Sequence, residues 1–154
     1  MNVIACPDIF VSKNNKNTLF LGGGISGCPD WQKEMIDRFK GHNLTLFNPR
    51  RKEFDSSDSM MSDRQIEWEH FHLKAASAIM FWFPWETLCP ITLFELGKYA
   101  ASGSTIFVGC HPAYARKFDV VKQLSLMRPE LKVHSSFNDL VTNVLTSFRL
   151  ITTQ

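Results

Sequence analysis

No two cysteines in this chain stand at metal-ligand spacing. Cys6, Cys28, Cys89 and Cys110 are scattered, which excludes the paired CxxC ligands of a structural zinc site. An HExxH pattern is missing too. Glu67, Glu69, His70 and His72 cluster as the residues of a solvated helix face do, and no metal or organic cofactor is expected. A P-loop, GxxxxGK[ST], occurs nowhere, so an ATP enzyme of that kind is not supported. Charge of one sign is scarce: the net charge is +2, without a basic run or an acidic tail. That excludes a strong footprint for a nucleic-acid polymer. No apolar run approaches the length of a bilayer span. The opening residues, MNVIACPDIF, lack the charged start and long apolar stretch of a signal peptide. These absences lead us to expect a cytoplasmic protein with reduced thiols and no membrane partner.

What is there is ordinary globular material, 44% hydrophobic and 21% charged over 154 residues. That length suits one domain, residues 1–154, behind an irregular segment at 1–16. Thr18 to Leu21 reads as a short strand running into Gly22-Gly23-Gly24. Pro29 sits where a helix can begin, Trp31, Met35, Ile36 and Phe39 recur at helical spacing, and Gly41 can end it. Leu44 to Phe47 is a second strand. Residues 50–61 read as a polar surface loop, and Ser62 with Gln65 as a capping box for the next helix. Ala78 to Phe83 is a strand apolar on both faces. A helix follows from Thr92, then a strand at Thr105 to Val108, a helix at 115–127, a short strand at Leu131 to Val133, and a last helix capped by Ser136. That helix carries an apolar stripe of Phe137, Leu140, Val141, Val144, Leu145 and Phe148. The alternation predicts an α/β, flavodoxin-like (Rossmann-like) three-layer sandwich with a parallel sheet of four or five strands in the order 2-1-3-4-5. In that order the glycines after Leu21 and the loop after Phe83 face each other across one crevice.

The candidate site follows. Glu95 has two readings: Thr92 to Glu95 is itself a capping-box pattern, and a carboxylate at a helix N-terminus stays ionised, as the nucleophile of a covalent glycosyl transfer must be. Glu69, on the preceding helix, is the second carboxylate. Trp31, Trp82 and Trp85 serve either as core filler or as faces on which a planar base stacks. GGGISG is taken as a strand-to-helix turn whose backbone and Ser26 can hold a phosphate or sugar hydroxyl, rather than as a dinucleotide fingerprint. Arg50 and Arg51 are expected to face water.

In order along the chain, FLGGGISGCPDWQ, FNPRR, QIEWEHFHLKAASAIMFWFP and ITLFELGKYAASG resemble the nucleoside 2-deoxyribosyltransferase family, in its short transferase-like branch, from about Thr18 to His111. The resemblance implies the flavodoxin-like fold, homo-oligomeric assembly, and attack on the anomeric carbon of a 2-deoxyribonucleoside without a cofactor. Glu95 matches the family nucleophile, and Glu69 an acidic position that contacts the base. Gly22, Gly23, Gly24, Ser26, Trp31, Asn48, Trp82, Trp85 and Cys89 are the implied substrate-binding positions. Three departures stand out. Cys89 and Ser77 replace frequent aspartates, and Phe20 lies near the place of a usual tyrosine. Two other readings stay open: an N-glycosidase of 2′-deoxynucleoside 5′-monophosphates, and an inactive nucleotide-binding sensor or sequestering module. An apolar stripe on the last helix, larger than one sheet face needs, leads us to expect at least a homodimer.

Overall fold

Six strands and five helices alternate in the computed structural model, which describes residues 1–11, 16–51 and 58–151. The strands are β1 (Asn2–Ala5), β2 (Thr18–Gly23), β3 (Thr45–Asn48), β4 (Ala78–Phe83), β5 (Ile106–Cys110) and β6 (Val133–His134). The helices are α1 (Trp31–Arg38), α2 (Ser59–Ala75), α3 (Pro90–Ala101), α4 (Lys117–Met127) and α5 (Phe137–Ile151). All pairings are parallel, in the order β1-β3-β2-β4-β5-β6. Five of the strands thus keep the expected order, with β4 in the interior. The sixth corrects the expectation of an irregular start: Asn2 to Ala5 add an edge strand beside β3.

Every residue of β4 is buried, and its side chains alternate between two cores. Phe81 and Phe83 join Phe20, Trp68, Leu96, Tyr99 and Leu124, a core capped by α2, α3 and α4. Met80 and Trp82 join Leu19, Leu21, Trp31, Met35, Phe107 and the α5 stripe on the other face. The stripe of α5 is therefore spent on the sheet: Leu140, Val141, Val144 and Phe148 are all buried. The surplus apolar surface inferred from it is not there. Exposed large apolar side chains lie instead on α2, α3 and α4, among them Ile66, Ile91, Phe94, Phe118 and Leu126.

Helix starts differ from those expected. Asp58 caps α2, its carboxylate accepting from the amides of Met60 and Met61, so Ser62 lies inside the helix. Part of the loop expected at 50–61, residues 52–57, lies outside the described residues. Helix α3 starts two residues before Thr92, with Pro90 at its first position and Cys89 at the N-cap. Proline suits that position because its missing N–H has no partner there anyway. At the opposite end of the sheet, Ser77 and Thr18 tie β4 to β2. The Ser77 amide donates to Thr18 Oγ1 at 2.8 Å, and Ser77 Oγ donates to the Thr18 carbonyl at 2.7 Å.

Candidate functional site

Strands β2 and β4 run side by side, with Gly22 opposite Phe81 and Gly23 opposite Trp82. Their following loops therefore leave the sheet at the same level, where an open α/β sheet forms its crevice. Gly24 is where the two loops touch. A Cβ there would lie 2.8 Å from Thr87, 2.9 Å from Pro84 and 3.0 Å from Cys89 Sγ, so only glycine lets them approach. The Gly24 carbonyl is held by three donors: Trp31 Nε1 at 2.8 Å, Gln32 Nε2 at 3.3 Å and Arg50 Nη2 at 3.5 Å. Arg50 also donates to Gln32 Oε1 and the Pro29 carbonyl and pairs with Asp30 at 3.3 Å. It clamps the loop rather than facing water. The second loop is held by Tyr114, whose hydroxyl donates to the Leu88 carbonyl at 2.7 Å.

Gly22, Gly24 and Gly27 do carry the GxGxxG spacing. That motif acts on pyrophosphate when a helix opens directly on it. Here α1 opens only at Trp31, capped by Asp30, and Gly27 sits in a turn at φ +75°. The run shapes a loop rather than a helix N-terminus.

Between the loops lies a cavity of about 290 Å³, walled by the glycine loop, Phe20, Pro49, the middle of α2 and the start of α3. It brings together Gly22, Gly23, Gly24, Ser26, Glu69, Cys89 and Glu95. Arg51, expected to face water, and Gln65, read as half of a capping box, line it as well. The visible signal for Gln65 was its spacing of four from Glu69, which puts both on one helical face.

Three aromatic positions lie elsewhere. Trp31 and Trp82 are buried and pack edge-on against Phe137, on the α5 side of the sheet. Strand alternation sends Trp82 away from the face that Phe81 and Phe83 share. Gly109 makes room for it: a Cβ there would lie 2.8 Å from the indole ring. Trp85 is exposed and borders a separate depression beside His111. Asn48 does not line the cavity; its Oδ1 accepts from the Arg50 amide at 3.1 Å and shapes the turn before it.

Glu95 stands in the second turn of α3, since the helix begins at Pro90. It is not a capping-box residue, and the dipole argument for an ionised carboxylate does not apply to it. Burial, together with the charge of Glu69, pushes its carboxyl up to about 8, with Lys98 pulling the other way. The Glu69 carboxyl is raised too, by burial, against the Gln65 hydrogen bond and the Arg51 charge. Both carboxyls are thus harder to ionise than exposed ones, and the charge of Glu69 adds to the effect of burial on Glu95. Cys89 supplies no charge: burial pushes its thiol up to about 12. Its backbone is left-handed, at φ 50°, an uncommon conformation for a residue with a Cβ. Ser77, the other departure from aspartate, lies at the far end of the sheet and does not line the cavity.

His72 is part of the core. Its Nδ1 lies 2.8 Å from the Trp68 carbonyl, and its Nε2 accepts from the Phe10 amide at 3.2 Å. Among the described residues no group of three His, Cys, Asp or Glu side chains is placed to hold a metal ion. No described helix is long and apolar enough to cross a membrane.

The family described as "Nucleoside 2-deoxyribosyltransferase like" matches residues 16–114, a stretch holding β2 to β5 and every residue of the cavity. No curated protein matches the chain. With well over half its length matched, the chain belongs to that family.

Proposed function

We propose that this member of the nucleoside 2-deoxyribosyltransferase-like family cleaves or transfers the N-glycosidic bond of a 2′-deoxyribonucleoside, with Glu95 as nucleophile and Glu69 as acid and base. The observation that carries this reading is the convergence of two carboxylates from different helices on one cavity, their carboxyls raised by burial. Such a pair is what retaining glycosyl chemistry uses. The productive form holds one proton: Glu95 ionised, Glu69 protonated.

A carboxylate oxygen of Glu95 forms a bond to C1′ as the C1′–N bond breaks. The bonding pair leaves with the base nitrogen, which takes the Glu69 proton. The sugar is then an ester of Glu95. Water, or the nitrogen of a second base, attacks C1′; its proton passes to Glu69 and the ester pair returns to Glu95. A developing oxocarbenium charge favours the ionised form of both carboxylates, so carboxyls raised by burial work toward the transition state. A 2-deoxy sugar suits the route, because no electron-withdrawing 2′-hydroxyl opposes that charge. Phe20, Pro49 and Ile91 offer the base apolar walls.

The unphosphorylated nucleoside is favoured over the 5′-monophosphate. The guanidinium groups of Arg50 and Arg51 are engaged, the first with Gln32, Pro29 and Asp30, the second with Gln65 and Cys6. Two carboxylates share the same space. The test is incubation with each 2′-deoxynucleoside and each 5′-monophosphate, with and without free adenine, following base release and exchange by chromatography. Release from a nucleoside supports the reading. Release from monophosphates alone replaces it with a nucleotide N-glycosidase. Binding with neither release nor exchange replaces it with a sensor or sequestering role.

A further inference from the structure

We infer that Gln65 is a positioning residue that fixes Glu69 Oε1, is itself oriented by Arg51, and leaves Oε2 as the oxygen that carries the proton. The inference rests on the reading of Glu69 as acid and base. Arginine has donors and no acceptor, so the Gln65 atom 2.6 Å from Arg51 Nε is the amide oxygen. That settles which way the amide faces. Its nitrogen then has two hydrogens to place, and two acceptors are in reach: the Pro49 carbonyl at 2.9 Å and Glu69 Oε1 at 2.6 Å. A protonated Oε1 would meet an N–H with an O–H. The proton therefore belongs on Oε2.

Arg51 is anchored in its turn. Its Nε and Nη2 lie 3.1 and 2.8 Å from Cys6 Sγ, in the segment that follows β1. Gln65 is buried, so its contacts form in a space where a hydrogen bond counts for more than it does in water. The charged and titratable groups acting on Glu69 are Arg51 from the loop after β3, Glu95 from α3 and Cys6 from the N-terminal segment. Against burial, Gln65 and Arg51 both favour the ionised carboxylate, which makes Glu69 a readier proton donor. With Oε1 fixed, the same oxygen gives the proton in the first half-reaction and recovers it in the second.

The test is a titration that needs no turnover. Glutamate side-chain carboxyls are labelled with ¹³C, and the Glu69 signal is assigned by its loss in Glu69→Gln. In Gln65→Met its midpoint moves up. In Arg51→Lys, which keeps the charge and loses the fork, it moves up by less. The double variant moves by less than the sum, because Arg51 acts in part through Gln65. For a deoxynucleoside that is turned over, kcat of Gln65→Met falls about 10- to 100-fold, the equivalent of one hydrogen bond to a charged group, with KM little changed. An unmoved Glu69 midpoint in folded Gln65→Met overturns the inference, and so does an unmoved midpoint in Arg51→Lys should Gln65→Met fail to fold. Since the titration uses no substrate, it stands or falls separately from the catalytic reading.

Discussion

The two faces of β4 were built for different tasks from the same kind of residue. On the α1 and α5 side, Trp31, Met80, Trp82 and Phe137 interlock with Leu140 over Gly109, and the main polar contact there is the indole of Trp31 reaching the Gly24 carbonyl. On the α2 and α3 side, Phe81 and Phe83 pack in one core with Phe20, and Phe20 joins Arg51, Gln65, Glu69 and Glu95 in the wall of a cavity. The first face sets the level and spacing of the two loops. The second carries groups whose protonation burial has moved. Aromatic bulk thus marks the scaffold here, and the displaced carboxylates mark the proposed site.

The sharpest way to break that contrast is to change one residue on each face. Glu95→Gln is expected to fold and to bind nucleoside, yet lose at least about three orders of magnitude in turnover, because an amide cannot form the glycosyl ester. Its stability separates this account from a capping role. A carboxyl raised in the folded state binds more protons than in the unfolded chain between their two pKa values. Its contribution is present at low pH and is lost as pH rises through about 8. Glu95→Gln is therefore expected to be more stable than the parent at pH 8 to 9, by on the order of 2 kcal/mol, in thermal melts across pH. A drop at every pH would return Glu95 to a structural role.

On the other face, Trp82→Ala is expected to cost about 3–5 kcal/mol of stability, as loss of a buried aromatic does. At temperatures where it stays folded, its KM should remain within a few-fold of the parent. Denaturant melts paired with kinetics measure both; a KM raised a hundredfold without loss of stability would put Trp82 at the site.

Glu69 and Glu95 sharpen the comparison through pH. With one shared proton, kcat/KM should follow a bell, rising as the first proton leaves the pair and falling as the last leaves, near pH 8. A profile still rising at pH 9 would contradict proton sharing.

The smallest effect concerns the thiols. Cys6, Cys89 and Cys110 are buried and Cys28 is half-buried. Burial pushes Cys89 and Cys110 up to about 12. Alkylation of folded protein at pH 8 should mark Cys28 first, as peptide mass mapping would show. Early labelling of Cys89 would mean an open loop.

The interior strands and the helical stripes were legible because burial on two faces and a period of 3.6 leave a plain pattern. Four residues of edge strand at Asn2 to Ala5, half of them exposed, leave none. The start of α3 was misplaced because a capping-box pattern at Thr92 competed with Pro90, and the proline, which fits the first helical position, prevailed. Glu69 and Glu95 were singled out by the family resemblance, since spacing alone left a capping role for one and a solvated helix face for the other. The faces of the tryptophans could not be picked from spacing either. Alternation separates Trp82 from Phe81 and Phe83, but nothing local says which face opens to a ligand. Arg51, Gln65 and Cys6 meet through tertiary contacts between segments about 14 and 45 residues apart, and only the Gln65–Glu69 spacing hinted at them.

The central claim is that Glu95 bonds covalently to the sugar. A 2-fluoro-2-deoxyarabinosyl nucleoside slows release of such an ester, and peptide mass spectrometry then locates the added sugar. The account predicts a single label on Glu95, absent from Glu95→Gln. Normal base release with no label on Glu95, matched by base release from Glu95→Gln, would contradict it.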